Sequence, residues 1–395
     1  MHFSVPIHLT VALLASGINA NLDACPVRSG GKALYVQSNE QQNYVISIPI
    51  GSDGKLYGGI ATLTNGMGSD IIDGTTNAPA ESDALSSQSS VFVIDDLVFA
   101  VNAGSNTLSM FKIDTSDPSK ISMVGESAAI PGEFPVTVTA STKRKTACVG
   151  YTGAKAGVSC AKFTEHGLQQ MKAVLDFELN QTTPPVGPTN TVAQVFFAAS
   201  DTRLVTTVKG DPTTNNTGFI SVLAFQDSDS SMFQSHDVRS SLPGTAVLFG
   251  GVEIPHTSEL FITDASFGAT ALNLNTVTDR VSLKNKIVIE NQQATCWATY
   301  SRARGSVFVT DAALDRLIEI KADGSKILST LNLTNGDPGL TELKAVGRFV
   351  YALSPGNGTI EASITVVDAF EGRQIQHFEL EKLGAGQRSQ GLAIY

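Results

Sequence analysis

Three charged residues are the candidates for chemistry in this sequence: Glu133, Lys209 and Arg388. A lysine and an arginine can hold a carboxylate, and a nearby glutamate can donate or accept a proton. Enzymes that open or close a ring ester on a small carboxylated molecule need such a set, so we name these three as candidate catalytic residues. The alternative is that Arg388 pairs with a surface acid and Glu133 caps a loop, because exposed ion pairs are common and weak.

A second set of amide and carboxylate side chains lies in turn-like segments beside short apolar runs. Such groups suit a small polar ligand or a hard cation such as Ca²⁺, but no loop has the spacing of a dedicated calcium site. Nucleophile-elbow, phosphate-loop and HExxH motifs are absent as well, so we predict neither a metal nor a cofactor. The candidate ligand-binding residues are Asn190, Asp264, Gln293, Asp311, Asp337 and Gln390.

The elements that must position these residues are short strands in a repeat. Four apolar runs beginning at Ser90 form one unit, and the same pattern restarts every 45 to 56 residues, the size of a four-stranded propeller blade. The clearest echo is Phe261–Ser266 against Phe308–Ala313. The later units start near Val136, Val192, Ala246, Cys296 and Leu340.

Six full units leave three strands within Gly31–Gly66 and one strand in Gly391–Tyr395. We predict that these four form a seventh blade with the C-terminal strand innermost, which removes free sheet edges. The predicted fold is therefore an all-β, seven-bladed β-propeller over residues 21–395, a single domain, with the candidate residues around one mouth of its central channel. A pair of β-sandwiches is the alternative, and it explains neither the repeat nor the isolated last strand.

Two long connections are predicted on the same face as the candidate residues. Gly66–Ser90 has no base and carries four acids, Asp70, Asp73, Glu81 and Asp83. Glu178–Asn190 contains two adjacent prolines. Long loops of this kind are often lids or binding elements. A solvated surface excursion is an equally good interpretation.

The composition excludes several classes of protein. Hydrophobic residues make up 42% and charged residues 16% of the 395 residues, which is the reverse of a disordered chain. A net charge of −10 lacks the basic face of a nucleic-acid binder. Outside residues 1–20, no stretch approaches the length of a membrane span. We expect a monomer whose partner is a small polar molecule or a host or cell-wall component.

Residues 1–20 contain no charged side chain, are largely apolar and end in Ile-Asn-Ala, which favours a signal peptide over an N-terminal core strand. We therefore predict a secreted or cell-wall-associated protein. Four Asn-X-Thr sequons in polar stretches agree with export and are candidate glycosylation sites. Their acceptor residues are Asn180, Asn215, Asn332 and Asn357.

The four cysteines divide into a near pair and two distant residues. Cys148 and Cys160 flank a hairpin-like, glycine-rich connection, and we predict a disulfide between them. Cys25 and Cys296 either pair or stay free, and the spacing does not decide between these.

The segment Val101–Phe111 resembles a strand hairpin of lactonase-type seven-bladed propellers. Gly250–Pro255 and Ala352–Gly358 resemble exported fungal proteins that are called 3-carboxymuconate cyclase-like. This resemblance covers nearly the whole chain after residue 20. It implies a propeller fold and a group that includes cell-wall glycoprotein antigens implicated in adhesion. The intracellular cyclase behind the name is thought to use an active-site histidine.

Two functions follow as hypotheses. The first is a non-catalytic exported glycoprotein that binds a partner or small polar ligand at the channel mouth, as an adhesin or antigen does. The second is a lactonase, cyclase or pericyclase acting on a small carboxylated or lactone substrate. The first is favoured because none of the four histidines after residue 20 is predicted to face the mouth. These are His166, His236, His256 and His377.

Overall fold

The computed structural model describes residues 31–80, 82–226 and 233–395. Within them the regular secondary structure is almost entirely β-strand, in seven blades of a propeller. Each inner strand contacts the inner strand of the next blade, and the last contacts the first, so the ring is closed. The predicted signal peptide, the boundary at residue 21 and Cys25 lie outside the described residues. No helix in the described ranges is long and apolar enough to cross a membrane.

We number the blades by their inner strands. The inner strands of blades 1 to 7 are Val91–Ile94, Pro135–Ser141, Val192–Ala198, Leu248–Glu253, Thr295–Ser301, Thr341–Val346 and Gln390–Ile394. The second strands are Leu97–Asn102, Thr146–Thr152, Arg203–Val208, Glu259–Asp264, Ser306–Asp311, Phe349–Ser354 and Ala33–Gln37.

The two outer strands of each blade follow in the same order. The third strands are Thr107–Ile113, Ala156–Thr164, Phe219–Ala224, Gly268–Leu274, Leu314–Lys321, Ser363–Asp368 and Tyr44–Pro49. The fourth strands are Ile121–Met123, Lys172–Phe177, Val238–Ser240, Val281–Val288, Ile327–Asn332, Arg373–Glu379 and Ile60–Leu63.

Blade 7 joins the two ends of the described chain. Its inner strand Gln390–Ile394 pairs antiparallel with Ala33–Gln37, and Tyr44–Pro49 and Ile60–Leu63 complete the sheet. The predicted closure is therefore confirmed. Pairing of the last strand with the first therefore ties the two ends of the described chain together through one hydrogen-bonded ladder.

The core lies between neighbouring blades, as the period of two along each strand requires. In blade 7, Leu34 and Val36 pack with Tyr351 of blade 6. The intervening Tyr35 packs on the other side with Val98 of blade 1. Each blade thus buries both of its faces, which explains why its strands are apolar runs with little polar alternation.

Loops that follow the second and fourth strands lie on one face of the ring, which we call the mouth face. Two of them pair with each other: Ile72–Asp73 and Val186–Gly187 form a short parallel ribbon. We call this ribbon the cap. It joins the two long connections that the sequence places on this face.

Candidate functional site

The inner strands share a β-bulge at their mouth end. In blades 2 to 7 the register with the second strand shifts there, leaving at least one inner-strand residue outside the ladder. Bulges re-aim side chains and are common beside functional sites. The residues outside the ladder are Val136, Ala193, Phe249 and Gly250, Cys296, Glu342 and Gly391.

The channel is crossed by residues 83–90, which we call the plug. Gln88 forms two 3.0 Å bonds with the backbone of Ala298 in blade 5, one donated by each partner. Its own backbone N–H donates to the carbonyl of Ala193 in blade 3, and the Ser89 N–H donates to the Glu342 carboxylate in blade 6. A segment that reaches opposite sides of the ring must fill the channel axis.

The plug keeps a strained backbone. Asp83, Ser86 and Ser89 all have positive φ, at 59°, 48° and 67°. Non-glycine residues adopt this left-handed conformation only where surrounding contacts impose it. The bonds to the inner strands supply those contacts, so the plug has a fixed shape.

A cavity of about 170 Å³ lies between the cap and blades 3 to 5. Apolar side chains such as Phe249 form most of its wall, and its acidic, basic and hydroxyl side chains are those of Asp73, Ser82, Asp83, Ser86 and Lys209. The cap side is formed by Ile71, Asp73, Ala80, Ser82 and Pro188. A largely apolar recess with a few convergent charged groups has the composition of a small-ligand site.

Lys209 is fully buried and follows the second strand of blade 3. Its ammonium group donates to the backbone carbonyl of Ser86 and, at 2.8 Å, to the Ser86 hydroxyl. It also lies 4.5 Å from the centroid of the Phe249 ring, a cation–π geometry. Burial lowers the pKa of Lys209 to about 8, and the nearby Asp83 charge opposes that shift.

Asp83 supplies the opposite charge. Burial raises the pKa of Asp83 to about 7, while the positive charge of Lys209 and the neighbouring Gln390 amide oppose the rise. Its Oδ1 atom is buried and completes no hydrogen bond of good geometry, and neither does Nε2 of Gln390. The cavity therefore holds an acid and a base whose pKa values both lie close to neutrality, as acid–base catalysis needs.

Cys296 also lines this cavity, at the bulge of blade 5. It is a buried free cysteine, and burial raises the pKa of its thiol well above the usual range. A protonated, buried thiol is a poor nucleophile, so we give Cys296 no catalytic role.

The three candidate catalytic residues are not brought together. Lys209 lines the cavity, but Arg388 and Glu133 are absent from its wall. Arg388 forms ion pairs with the buried Asp70 at 3.0 Å and with the more exposed Glu40 at 3.5 Å.

Glu133 accepts a hydrogen bond from Thr183 of the second long connection and lies 3.9 Å from the ammonium of Lys155. The Glu133 carboxylate therefore holds a loop beside the cap, and this agrees with the alternative that Glu133 caps a loop.

Asp264 and Asp311 are the acids of the internal echo. They lie at equivalent positions in consecutive blades and accept equivalent hydrogen bonds. The Asp264 carboxylate accepts bonds from the backbone N–H groups of Ala246 and Val247, just before the inner strand of blade 4. Asp311 accepts from Gln293 and Ala294 before the inner strand of blade 5. Each acid thus ties the entry of an inner strand to the end of the second strand, and its oxygens are occupied.

The other candidate ligand-binding residues are also engaged in the fold or exposed. The Asn190 side chain donates to the carbonyl of Leu179 at 2.8 Å. The Asp337 carboxylate accepts a hydrogen bond from the Ser363 hydroxyl, and its Oδ1 atom lies 3.0 Å from Nε2 of His377. Gln293 is exposed, and Gln390 is buried beside the plug.

No three His, Cys, Asp or Glu side chains of residues 31–80, 82–226 and 233–395 converge as a metal site.

Asp83 is the site residue that sequence reasoning missed. The sequence places it with the other acids of a connection that is either a binding loop or a solvated excursion, because nothing local distinguishes a partly buried aspartate in a loop. The available signal was the run Ser86–Ser90, five small or polar residues directly before the first inner strand. Such a run is long enough to cross a channel lined by backbone groups, and it carries its own hydrogen-bonding groups.

The predicted disulfide is confirmed. Cys148 and Cys160 are directly opposite each other on the second and third strands of blade 2, and their sulfur atoms are bonded. Cys296 has no disulfide partner in the described part of the chain.

No family model matches the sequence, and no curated protein matches it either. Solved structures do match in fold. A periplasmic gluconolactonase of Pseudomonas aeruginosa has a TM-score of 0.61 at 13% identity, over 90% of this chain and 96% of that one. A protein of Bacteroides fragilis described as a 6-phosphogluconolactonase has a TM-score of 0.58 at 11% identity, over 91% and 97%.

A third structure, from Bacteroides uniformis and also described as a 6-phosphogluconolactonase, has a TM-score of 0.53 at 15% identity, over 70% of this chain and 80% of that one. Identities this low carry the fold and not the residues of a site. The chain therefore has the fold of the lactonase-type seven-bladed propellers.

Proposed function

We propose that the protein is an acid–base enzyme acting on a small lactone or carboxylated molecule in the cavity beneath the cap. The observation that carries the proposal is that Lys209 and Asp83 line one recess, where burial lowers the pKa of Lys209 and raises the pKa of Asp83. Strongly perturbed acids and bases that share a cavity are enriched at catalytic sites. The likeness of the fold to proteins described as lactonases supports the reaction class by analogy only.

The residues suit the hydrolysis of a lactone as follows. The Asp83 carboxylate removes a proton from a water molecule while the oxygen of that water bonds to the carbonyl carbon of the lactone. The Lys209 ammonium stabilises the negative charge that develops on the carbonyl oxygen. The ring C–O bond then breaks, the proton passes from Asp83 to the ring oxygen, and a hydroxy acid leaves.

The test is turnover of a panel of lactones and muconates by the purified protein, its Asp83→Asn variant and its Lys209→Met variant. We expect hydrolysis or cyclisation of at least one compound and a loss of about 100-fold or more in each variant. Glu133→Gln is the matched control, because it neutralises an acid on the same face outside the cavity. Absence of turnover in the unaltered protein, or equal rates in all four proteins, would contradict the proposal.

A second function has one specific observation in its favour. All four sequon asparagines are exposed, and each lies at the end of a second or fourth strand or in the loop after it, on the mouth face. We propose on this basis a secreted, wall-associated glycoprotein that presents this face to a partner. Glycans there would surround the cap and leave the opposite face bare.

This second proposal is tested by secreting the protein from a eukaryotic host and measuring its mass before and after N-glycosidase treatment. Replacing each acceptor asparagine by glutamine should remove one glycan at a time. A strain lacking the gene should also lose binding to its surface partner. An unchanged mass after the enzyme, or unchanged surface binding in the deletion strain, would exclude this function.

A further inference from the structure

Blade 7 brings two glutamine side chains together next to the plug. Gln37 ends the second strand, Gln390 begins the inner strand, and the antiparallel register places them directly opposite each other. The Cβ atoms of such a cross-strand pair lie about 5 Å apart, so the two amides are within reach of each other. Both residues are sealed from solvent, with 0% of Gln37 and 1% of Gln390 exposed. Their amides must therefore find hydrogen-bond partners inside the protein.

The strand pairing itself does not use these amides. Oε1 and Nε2 of Gln37 and Nε2 of Gln390 are buried atoms that complete no hydrogen bond of good geometry with the described residues. Buried polar groups are nearly always paired, because an unpaired one has lost its bonds to water without compensation. Gln194 on the inner strand of blade 3 shows the contrast, since its Oε1 accepts a 2.6 Å bond from the Gly251 N–H. Two such amides side by side point to a use beyond holding strands together.

The plug packs directly on this pair. Gly391, which follows Gln390, has a φ of 70°, and a Cβ atom there would collide with the Ser90 hydroxyl oxygen. A glycine is thus required for this close approach. Ser90 ends the plug, and its hydroxyl is another buried group without a partner among the described residues.

Asp83, at the start of the plug, supplies the acceptor that the pair lacks. The Gln390 amide lies beside the Asp83 carboxyl group and acts to lower the pKa of Asp83, against the larger rise that burial causes. Oδ1 of Asp83 is itself buried and completes no hydrogen bond of good geometry. An amide N–H and a carboxylate oxygen, both unpaired and adjacent, can satisfy each other with a small side-chain rotation.

Other groups around Asp83 carry charge or can titrate. The Lys209 ammonium and a backbone N–H of the plug favour the carboxylate, whereas the Glu342 carboxylate of blade 6 favours the neutral acid. The Cys296 thiol of blade 5 also faces Asp83, and burial first and then the Asp83 charge raise the pKa of that thiol. Gln390 differs from these side chains because its N–H groups are uncharged, so its effect on Asp83 does not change with pH.

We propose that Gln390 is a positioning residue for Asp83 and that Gln37 fixes the orientation of its amide. One N–H of Gln390 is donated to Oδ1 of Asp83, and the other is donated to Oε1 of Gln37. The amide nitrogen of Gln37 then donates to the Ser90 hydroxyl. Gln390 is thus held with its nitrogen, and not its carbonyl, toward Asp83, which favours the ionised carboxylate. Oδ2 of Asp83 is left to take a proton from water in the cavity.

This inference rests on the proposed function, but its main test does not need turnover. The experiment is a ¹³C NMR titration of the full chain labelled at the aspartate carboxyl carbon, in which the Asp83 signal is the one missing from Asp83→Asn. Gln390→Met keeps the shape and removes the donors, so it should raise the pKa of Asp83 by about one unit. Gln390→Glu replaces the donors by a charge and should raise it more, and Gln37→Met should raise it less.

Gln194→Met is the matched control, because it removes a buried glutamine amide from another inner strand. It should leave the pKa of Asp83 unchanged. An unchanged pKa in both Gln390 variants, or a rise of equal size in Gln194→Met, would overturn the inference. If Gln390→Met does not fold, Gln390→Glu and Gln37→Met decide the question in the same way.

Kinetics separate this inference from the proposed function. With a lactone that the unaltered protein opens, Gln390→Met should lower kcat several-fold at about pH 7 with little change in KM, and should move the acidic limb of the pH–rate profile upward by about one unit. A raised pKa of Asp83 without turnover in the unaltered protein would contradict the proposed function and support the pairing of Gln390 with Asp83. Turnover with an unchanged pKa would support the function and exclude the pairing.

Discussion

The indole nitrogen of Trp297 donates a 2.9 Å hydrogen bond to the backbone carbonyl of Ser87. These residues are 210 positions apart, and the bond joins the inner strand of blade 5 to the plug. Trp297 is fully buried and meets the Phe249 ring edge-on, at 5.1 Å between centroids. The only tryptophan of the chain therefore supports the floor of the candidate site.

Replacing Trp297 by phenylalanine should lower the free energy of unfolding by about 3 kcal/mol. The change leaves the Ser87 carbonyl without its donor and opens a space beside Phe249. Urea denaturation followed by circular dichroism measures the loss. Tyr300→Phe on the same strand is the control and should cost less than about 0.5 kcal/mol. Equal effects of the two substitutions would show that the bond to the plug contributes little.

Lys209 and Asp83 should be coupled in a double-mutant cycle. In Lys209→Met the partly buried Asp83 carboxylate loses the nearby cation, so the pKa of Asp83 rises further and the protein loses stability as pH rises above about 7. At about pH 5 the loss should be smaller, because Asp83 is then protonated. Adding Asp83→Asn should recover much of the loss. Additive effects of the two substitutions at about pH 8 would exclude the pairing.

The blade architecture was predictable because each blade repeats the same local sequence pattern. An apolar run must bury both faces, and the echo of Asp264 in Asp311 marks the same junction in consecutive blades. The sequence located this acid correctly but could not show that backbone N–H groups already occupy its oxygens. A carboxylate that fastens a strand and one that binds a ligand have the same sequence pattern.

The plug and the cap were not predictable in detail for a different reason. Gln88 contacts Ala298, and the cap joins residues near 72 to residues near 186, so the determining contacts are far apart in sequence. Small polar residues such as Ser86 are compatible with any loop, and only the surrounding ring decides that this loop enters the channel.

Asp315 should make the protein less stable at higher pH. Burial first, and then the charge of Asp337, raise the pKa of Asp315 to about 6, while His377 opposes the rise. A folded-state pKa above the unfolded value means that the stabilising contribution is present below about pH 4 and is lost as pH rises through about 6. Asp315→Asn should therefore raise the free energy of unfolding at about pH 8 by about 1 kcal/mol after solvent screening, and should leave it unchanged at about pH 4. The melting temperature should rise at about pH 8 only.

The control for Asp315 is Asp211, whose pKa is lowered chiefly by the Thr213 hydroxyl. Its shift has the opposite sign, so Asp211→Asn should give no gain in stability at about pH 8. If both variants gain stability there, general charge reduction rather than burial of Asp315 is the cause.

The disulfide should stabilise the fold by restricting the unfolded chain, with an effect that grows slowly with the length of the loop it closes. Cys148 and Cys160 are separated by 12 residues, and Cys148→Ala/Cys160→Ala should cost about 2–3 kcal/mol. A reductant should lower the melting temperature of the unaltered protein toward that of the double variant and should not affect the variant. A reductant effect of equal size in both proteins would assign the loss to another group.

Arg388 should hold the cap over the cavity. Its partner Asp70 is buried next to the cap strand Ile72–Asp73, and burial raises the pKa of Asp70 while the Arg388 charge lowers it. Arg388→Gln leaves that carboxylate buried without a cation, so the cap should open more often. Cys296 lies in the cavity beneath and reports the opening, since a small thiol reagent reaches it only when the cap moves.

In a Cys25→Ser background, Arg388→Gln should speed labelling of Cys296 several-fold at neutral pH, with little change in the melting temperature. Arg373→Gln, which breaks an exposed pair with Glu371, is the matched control and should leave the rate unchanged. Adding Asp70→Asn to Arg388→Gln should restore slow labelling, because a neutral amide can stay buried without a cation. Equal labelling rates in all four proteins would mean that other contacts, such as the bond from Ser82 to the Gly356 carbonyl, keep the cap closed.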